Sequence, residues 1–219
     1  MDAVIDLLPL LGEATLQTLW LVFASLFFGG IGGLVVGLAL YVTRAGNLFA
    51  NRVVFGVLNV LVNVFRPIPF IIFLTAFQPL ARLVIGTGIG TEAVIFTLSL
   101  ASTFGISRIV EQNLLTVSPG VIEAARAAGA GPLRTIATVV IPEALGPLIL
   151  GYTFVFVAIV DMSAVAGSIN GGGLGAFALQ YGFRQFEPAV TWTALAIVII
   201  LVQVVQFLGN ALARKVLRR

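Results

Sequence analysis

The segment SPGVIEAARAAGAGPLRTIATVVIP, residues Ser118 to Pro142, is the one long stretch between apolar blocks that has a helical pattern of its own. Ser118 is a good N-cap residue, Pro119 suits the first helical position, and Gly129 can adopt the left-handed conformation that ends a helix. The apolar residues that recur at helical spacing between these ends are Val121, Ile122, Ala125 and Ala128. The pattern predicts a short amphipathic helix, followed by a second helical run that leads into Pro142.

Two uses of this helix are open on the pattern alone. Its Ala- and Gly-rich surface lets another backbone come close, and Glu123 and Arg126 offer charge pairing beside that surface. These features favour a docking site for a partner protein. Alternatively, the helix lies against its own protein or against the lipid surface, as many interfacial amphipathic helices do.

The composition is that of an integral membrane protein. Of the 219 residues, 59% are hydrophobic and 10% are charged, whereas a soluble domain is about half apolar and about a quarter charged. The sequence contains no Cys and no His, so it lacks the commonest metal ligand and the usual general base. We therefore expect no catalytic residue, no metal and no cofactor in this chain. The net charge is only +3, which gives no reason to expect nucleic-acid binding. We interpret the excess of basic residues as a signal of membrane orientation.

Five stretches are apolar and long enough to cross the roughly 30 Å of bilayer hydrocarbon. They cover residues 16–41, 53–80, 93–110, 145–166 and 189–208. The first stretch has the Gly29-to-Gly33 spacing of closely packed GxxxG helices. We expect an all-α membrane protein with five transmembrane helices and a single transmembrane domain over residues 1–219.

Basic residues set the expected orientation of these spans. Arg and Lys concentrate in the turn after the first span, around segment 118–142 and in the C-terminal tail, whereas the opposite loops hold only Arg82 and Arg184. The basic residues of the tail are Arg214, Lys215, Arg218 and Arg219. By the positive-inside rule, the N-terminus lies outside, the C-terminus is cytoplasmic, and segment 118–142 is a cytoplasmic connection between spans three and four.

The second span is interrupted by Arg66-Pro67-Ile68-Pro69. The prolines free backbone carbonyls, and such breaks occur within membranes where they line a cavity or are buried in protein. Asn63 lies three residues before Arg66, on roughly the same face. Arg66 either snorkels or pairs structurally, or it borders a substrate path together with Asn63 and Pro67.

The third span ends in a charged pair, and hydroxyl side chains lie along it. We expect the hydroxyls to bond their own backbone or a neighbouring helix; they belong to Ser99, Ser102, Thr103 and Ser107. Arg108 and Glu111 are three residues apart, and we expect them to form a local ion pair at the membrane surface.

A glycine-rich stretch, residues 167–175, follows the fourth span. It contains Gly171, Gly172, Gly173 and Gly175. We expect this stretch to be too flexible for a helix and to form a mobile external loop or gate. It is not a nucleotide-binding loop, because the Lys-Ser/Thr ending of a Walker A motif is missing.

The order Glu123-Ala124-Ala125, then Gly129, then Val139-Val140-Ile141-Pro142 resembles the EAA signature of bacterial ABC-importer permeases. In that family the segment is the cytoplasmic coupling helix that sits in a cleft of the ATP-binding subunit. The resemblance therefore implies ATPase-coupling roles for Glu123, Ala124, Ala125, Arg126, Gly129 and Pro142. The chain is most similar to the methionine-import branch, in the motifs RPIPF (66–70), VIGTGIG (84–90), PEAL (142–145), GGGLG (171–175) and QYG (180–182).

The resemblance also implies an assembly. Such permeases have five spans per subunit and work in the bacterial inner membrane as homodimers with two copies of an ATP-binding subunit, which holds the ATP and Mg. An extracytoplasmic substrate-binding protein delivers the ligand. ATP binding closes the ATPase dimer, and the permease swings from inward-facing to outward-facing.

The fourth span carries Asp161, followed by Met162 and Ser163, and these three residues are further candidates for the substrate path. Asp161 departs from the branch pattern, which has a small uncharged residue there. An ionisable side chain at that depth costs about 2.5–3.5 kcal/mol on insertion scales. Asp161 either pairs with Arg66 or its symmetry mate, or contacts the amino group of an amino-acid substrate, or lies near the outer end of the span, close to water.

Three classes of function compete on these observations. The leading hypothesis is the transmembrane subunit of an ATP-driven importer, for methionine or a related amino acid. A stand-alone channel or secondary transporter would also suit the broken second span and its intramembrane charges. A membrane-embedded enzyme is disfavoured, because the chain has no His, no Cys and no GxSxG or HExxH motif. The EAA-like segment favours the importer, since neither alternative needs it.

Overall fold

The computed structural model describes residues 2–169 and 171–217, and within these ranges every regular element is helical. The helices are α1 (Asp2–Asp6), α2 (Leu8–Thr43), α3 (Arg52–Phe65), α4 (Phe70–Ala76), α5 (Gln78–Ile85), α6 (Thr91–Leu114), α7 (Pro119–Ala127), α8 (Pro132–Thr135), α9 (Ile141–Gly167), α10 (Gly173–Phe177) and α11 (Pro188–Leu217). Two π-helical turns, Ile136–Val140 and Ala178–Phe183, lead into α9 and out of α10. Asn170 of the glycine-rich stretch and Arg218 and Arg219 of the basic tail lie outside the described residues.

Four helical runs in the described part are long and apolar enough to cross a membrane: α2, α6, the run from α8 through α9, and α11. A fifth crossing is present if α3 and α4, which meet at an angle of 108°, form one broken span. This confirms an all-helical protein with four to five spans. The break falls at the predicted Arg66–Pro69 segment, because Pro67 and Pro69 have no N–H to continue the helix.

The helices extend beyond the apolar stretches from which they were predicted. α2 begins at Leu8 instead of residue 16, α6 continues to Leu114, and α11 continues to Leu217. Backbone hydrogen bonding does not stop where the apolar sequence stops, so hydropathy alone underestimates helix length. The second stretch, residues 53–80, is divided among three helices, α3, α4 and α5.

The core forms where α2, α6 and α9 pack together. The predicted glycine seam is confirmed: a Cβ added at Gly29 would lie 2.7 Å from the backbone oxygen of Ser99 and 2.8 Å from the Cβ of Ser102. Only glycine permits this approach of α2 to α6. The hydroxyls of Ser99, Thr103 and Ser107 bond their own backbone as expected, for example Thr103 to the Ser99 oxygen at 2.8 Å, but that of Ser102 does not. The buried Oγ of Ser102 has no partner among the described residues.

α9 is tied to α2 by a polar contact, and α11 packs on its other side. The hydroxyl of Tyr152 donates to the backbone oxygen of Gly30 at 2.7 Å. α11 packs against α9, where Gly209 of α11 lies against the side chain of Thr153. A second, smaller cluster joins α2, α10 and α11 through Leu11, Ala14, Leu174, Phe177, Val190 and Ala194.

Candidate coupling and pathway sites

The predicted docking helix is present as α7, and its ends follow the local sequence signals. Ser118 is extended (φ −60°, ψ 127°) and Pro119 opens the helix, although the Ser118 side chain makes no capping hydrogen bond. Gly129 has φ +85°. The N–H of Gly129 donates to the Arg126 oxygen and that of Ala130 to the Ala125 oxygen, both at 3.0 Å. This pair of bonds is a Schellman motif, which requires the left-handed residue at Gly129.

α7 has no buried residue, so its surface is available to a partner. Ile122 alone of the predicted apolar face packs against the core. Ala125 is half-buried, and Val121 and Ala128 are exposed. The expected face of four residues is therefore not buried as a unit against the chain itself.

The remaining residues of the EAA-like signature are also exposed. They are Glu123, Ala124, Arg126, Gly129 and Pro142. Pro142 lies in the first turn of α9, where the π-helical turn joins that helix. Since α7 contacts α8 and the π-helical turn, α7 is connected directly to the start of the long α9.

A cavity of about 290 Å³ separates α7 from the turn between α2 and α3. Arg44 and Asn47 of the turn line one side of the cavity, and Glu123 and Arg126 of α7 line the other. The turn is itself held together, because the Asn47 amide donates to the Tyr41 oxygen at 2.7 Å. Charged side chains from the turn and from α7 thus line the same cavity.

The predicted Arg108–Glu111 ion pair is confirmed. The Glu111 side chain is 1% exposed and that of Arg108 is 14% exposed, so the carboxylate is buried within the protein. A second arginine, Arg44, contacts the other carboxylate oxygen at 3.3 Å. Arg108 also donates to the side-chain oxygens of Asn59 and Asn63, at 2.8 and 2.6 Å. The sequence analysis missed Arg44 and Asn59. The polar Asn59/Asn63 pair, four residues apart in an apolar helix, is the signal that could have indicated Asn59.

The candidate pathway residues fall into two groups that do not meet within one chain. Asn63, Arg66 and Pro67 are exposed at the end of α3, and Asp161 is exposed on α9. Both ion pairs of the described residues involve Glu111, so Arg66 and Asp161 of one chain are not paired in this structure.

The two residues after Asp161 point away from a shared polar site. Met162 is half-buried and packs against the apolar core. Ser163 is buried, and its hydroxyl donates to the Val160 oxygen at 2.7 Å. Asp161 is therefore the exposed member of the three.

Four aromatic rings support the break between α3 and α4. Phe73 stacks on Phe77 with ring centroids 4.2 Å apart, and Phe65 stacks on Phe104 of α6 at 5.0 Å. The two stacks meet edge to face, with the Phe65 and Phe77 centroids 5.8 Å apart. Such aromatic pairs contribute beyond their buried area, so the 108° bend is a packed feature of the fold.

The glycine-rich stretch is more ordered than the sequence analysis predicted. α9 continues to Gly167 and α10 begins at Gly173, so four of the nine residues of the stretch are helical. A Cβ at Gly171 would lie 2.5 Å from the backbone oxygen of Ala166, and Gly175 packs just as closely on Ala164. These glycines permit close backbone contacts and do not form a free loop.

The start of α10 is fastened to α2. The N–H of Gly173 donates to the side-chain oxygen of Gln17 at 2.9 Å, and the N–H of Leu174 donates to the Thr18 hydroxyl at 2.8 Å. The Gln17 amide also donates to the Thr91 hydroxyl, where α6 begins, at 3.0 Å. Gly172 and Gly173 both have φ +76°, which explains why glycine occupies these positions.

Comparisons with known proteins agree with this architecture. Residues 29–218 match the family described as the binding-protein-dependent transport system inner membrane component. A probable D-methionine transport system permease protein of Vibrio cholerae is 37% identical over 94% of this chain and 92% of its own length. The D-methionine transport system permease protein of Escherichia coli strain K12 is 42% identical over 72% of this chain and 73% of its own length.

A solved structure gives the same fold. A chain of the MetNI methionine ABC transporter, crystallised in an inward-facing conformation, superposes with a TM-score of 0.93 at 40% identity, over 96% of this chain and 98% of that one. The family match covers most of the chain and includes both α7 and the glycine-rich stretch. The chain therefore belongs to the binding-protein-dependent transport system inner membrane components, and it is a multi-pass permease subunit of a bacterial ABC importer.

Proposed function

We propose that this chain forms the transmembrane pathway of an ATP-driven methionine importer. The observation that carries the proposal is the likeness, over almost the whole chain, to proteins described as D-methionine permeases and to a chain of a methionine ABC transporter. The exposed EAA-like helix α7 supports the same function, because a stand-alone channel or secondary transporter has no need of it.

We further propose that α7 is the cytoplasmic coupling helix. Its surface is open, its C-terminal end is fixed by a Schellman motif, and Arg126 and Arg134 lie in the same connection between two apolar spans. By the positive-inside rule, this arrangement supports a cytoplasmic α7 and C-terminus and an external N-terminus. Glu123, Ala124, Ala125, Arg126, Gly129 and Pro142 would then contact or position the ATP-binding subunit.

The working assembly in this proposal is a homodimer of the chain with two ATP-binding subunits and an extracytoplasmic substrate-binding protein. The ATP-binding subunits hold the ATP and Mg. Their closure moves the two α7 helices together and favours one of two discrete packings of the permease. The apolar chain itself supplies the pathway and the coupling surface.

We propose that Asn63, Arg66, Pro67 and Asp161 border the pathway in the dimer. Their exposure in the single chain supports this placement, since exposed polar groups at membrane depth normally face a polar cavity or a partner. Asp161 either contacts the amino group of the substrate or pairs with Arg66 of the second copy. Met162 and Ser163 pack into the chain itself and are not part of this proposal.

Uptake into liposomes tests the proposed function. The chain is reconstituted with its ATP-binding subunit and substrate-binding protein, and accumulation of labelled L- and D-methionine is measured with and without ATP. We expect accumulation only with ATP and the binding protein, and competition by unlabelled methionine but not by lysine or glutamate. Uptake that is independent of ATP would support a secondary transporter, and competition by another amino acid would reassign the substrate.

A further inference from the structure

A buried carboxylate holds two arginines from different parts of the chain. Glu111 of α6 is 1% exposed, and each of its oxygens accepts a hydrogen bond from a different arginine, Arg44 or Arg108. Arg44 belongs to the turn after α2, and its guanidinium also lies 6.0 Å from the ring centroid of Phe55 on α3. A buried carboxylate is retained only when it is paired in this way.

Arg108, the second arginine, also forms hydrogen bonds with α3. Nη2 of Arg108 donates to the side-chain oxygen of Asn59 and to that of Asn63, one helical turn apart. The Asn63 amide donates in turn to Asn59 at 3.3 Å. A continuous polar network therefore joins the α2–α3 turn, α6 and α3. Only the central Glu111 carboxylate is fully buried, and a satisfied buried polar group of this kind rigidifies the elements that hold it.

The two ends of the network lie at the two sites described above. Arg44 lines the cavity next to α7, opposite Glu123 and Arg126. At the other end, Asn63 lies three residues before Arg66, where α3 ends and the chain bends by 108°. Only residues 115–118 separate α6, which carries Glu111, from α7.

We propose that Glu111 is a positioning residue that holds the α2–α3 turn, α3 and α6 together as one rigid body. Movement of α7 then also displaces the break at the end of α3. Without this network, bending between the elements would take up the movement. The inference rests on the proposed function, because it requires that an ATPase moves α7. It assigns to Glu111 a role in coupling efficiency and none in binding the ATPase or the substrate.

The test compares Glu111→Gln with wild type in the complete complex in liposomes. The substitution keeps the shape of the side chain and removes the charge that holds both arginines. We expect the ATP-binding subunit to remain bound and ATP hydrolysis to continue, while the substrate moved per ATP hydrolysed falls by about tenfold, within the usual range of coupling between sites. Glu92→Gln, an exposed acid in the first turn of the same helix, is the matched control and should transport like wild type.

A second variant interrupts only the branch to α3. Asn59→Ala leaves both ion pairs of Glu111 intact and changes a half-buried position. It therefore tests the proposed role even if the Glu111→Gln chain does not insert into the membrane. We expect the substrate moved per ATP hydrolysed to fall by about threefold, less than in Glu111→Gln, because Asn63 still accepts from Arg108. A general loss of stability would lower transport and ATP hydrolysis together and leave the ratio unchanged.

Distance measurements test whether α3 and α7 move together. The chain contains no Cys, so spin labels can be placed at Val60→Cys on α3 and Ala127→Cys on α7, both exposed, in subunits diluted with unlabelled ones. We expect one narrow distance distribution with and without ATP in wild type, and a broader one in Glu111→Gln.

The outcomes separate this inference from the proposed function. A wild-type complex that shows no ATP-dependent transport would overturn the proposed function itself. If wild type couples normally, while Glu111→Gln and Asn59→Ala keep both its transport-to-ATP ratio and its distance distribution, only the positioning role of Glu111 is refuted.

Discussion

The conformation of Gly129 makes a quantitative prediction about coupling. Gly129 has φ +85°, and a Cβ placed there meets nothing within 4 Å. The free-energy cost of a substitution therefore comes from the backbone conformation and not from steric contacts. An L-residue in the left-handed helical region costs about 1–2 kcal/mol, which corresponds to a factor of about 5–30 in a population. We expect Gly129→Ala to reduce the population of capped α7 by up to this factor, and the apparent affinity for the ATP-binding subunit with it.

A matched series separates backbone strain from steric effects. Gly131, two residues later, also has open space around its Cβ position, but its φ is −68°, so Gly131→Ala should bind the ATPase like wild type. Gly129→Asn introduces a larger side chain that tolerates the left-handed region, and we expect it to lose less affinity than Gly129→Ala. Gly129→Val, with a β-branched side chain, should lose the most.

The assay is titration of the ATP-binding subunit against the purified permease in nanodiscs, with ATP-driven uptake measured in parallel. The order of affinities should be wild type and Gly131→Ala first, followed by the Asn, Ala and Val variants at position 129. An order that follows side-chain volume, with Asn weaker than Ala, would show that contact with the partner and not backbone conformation explains the glycine.

Three other substitutions test the packing and the pathway. Gly29→Ala places a methyl group against the α6 backbone and should cost about 1–3 kcal/mol, equivalent to about 2–12 °C in melting temperature for a chain of this size; Gly12→Ala on the same helix, in open space, should not lower it. Gln17→Leu leaves the Gly173 N–H without its partner and should destabilise the protein by about 1–3 kcal/mol in thermal unfolding, and no change would disprove the fastening of α10. Asp161→Asn should alter competition among amino acids in the uptake assay, and an unchanged profile would place Asp161 outside the pathway.

The features that the sequence predicted well are those fixed by local chemistry. Pro119 and Gly129 determine where α7 begins and where its connection turns, whatever the rest of the chain does. The prolines after Arg66 stop α3 for the same reason. The Gly29–Gly33 spacing also indicated a packed seam correctly, because the same small residues must face one neighbour for several turns.

The features that the sequence did not predict depend on partners distant in the chain. Arg44 is 67 residues from Glu111, so no local pattern could place the acid between two arginines. The angle between α3 and α4 depends on stacking with Phe104, which belongs to another helix. Hydropathy indicated that a break exists but not how it is packed.

Glycine-rich sequence is ambiguous for a related reason. Glycine permits both flexibility and close backbone approach, and the sequence analysis chose flexibility for residues 167–175. The choice is decided by Gln17, whose side chain accepts from Gly173 across 156 residues. Without knowledge of that contact, a flexible loop and a closely packed segment are equally compatible with the sequence of residues 167–175.

The central claim is that α7 docks an ATP-binding subunit, and affinity purification tests it most directly. The tagged chain is purified in mild detergent from native membranes, and the co-eluting proteins are identified by mass. We predict a Walker-containing subunit in equal stoichiometry, lost with Glu123→Arg and retained with Glu187→Arg, an exposed acid in a different loop. A chain that elutes alone, or a partner that Glu123→Arg does not release, would contradict the account.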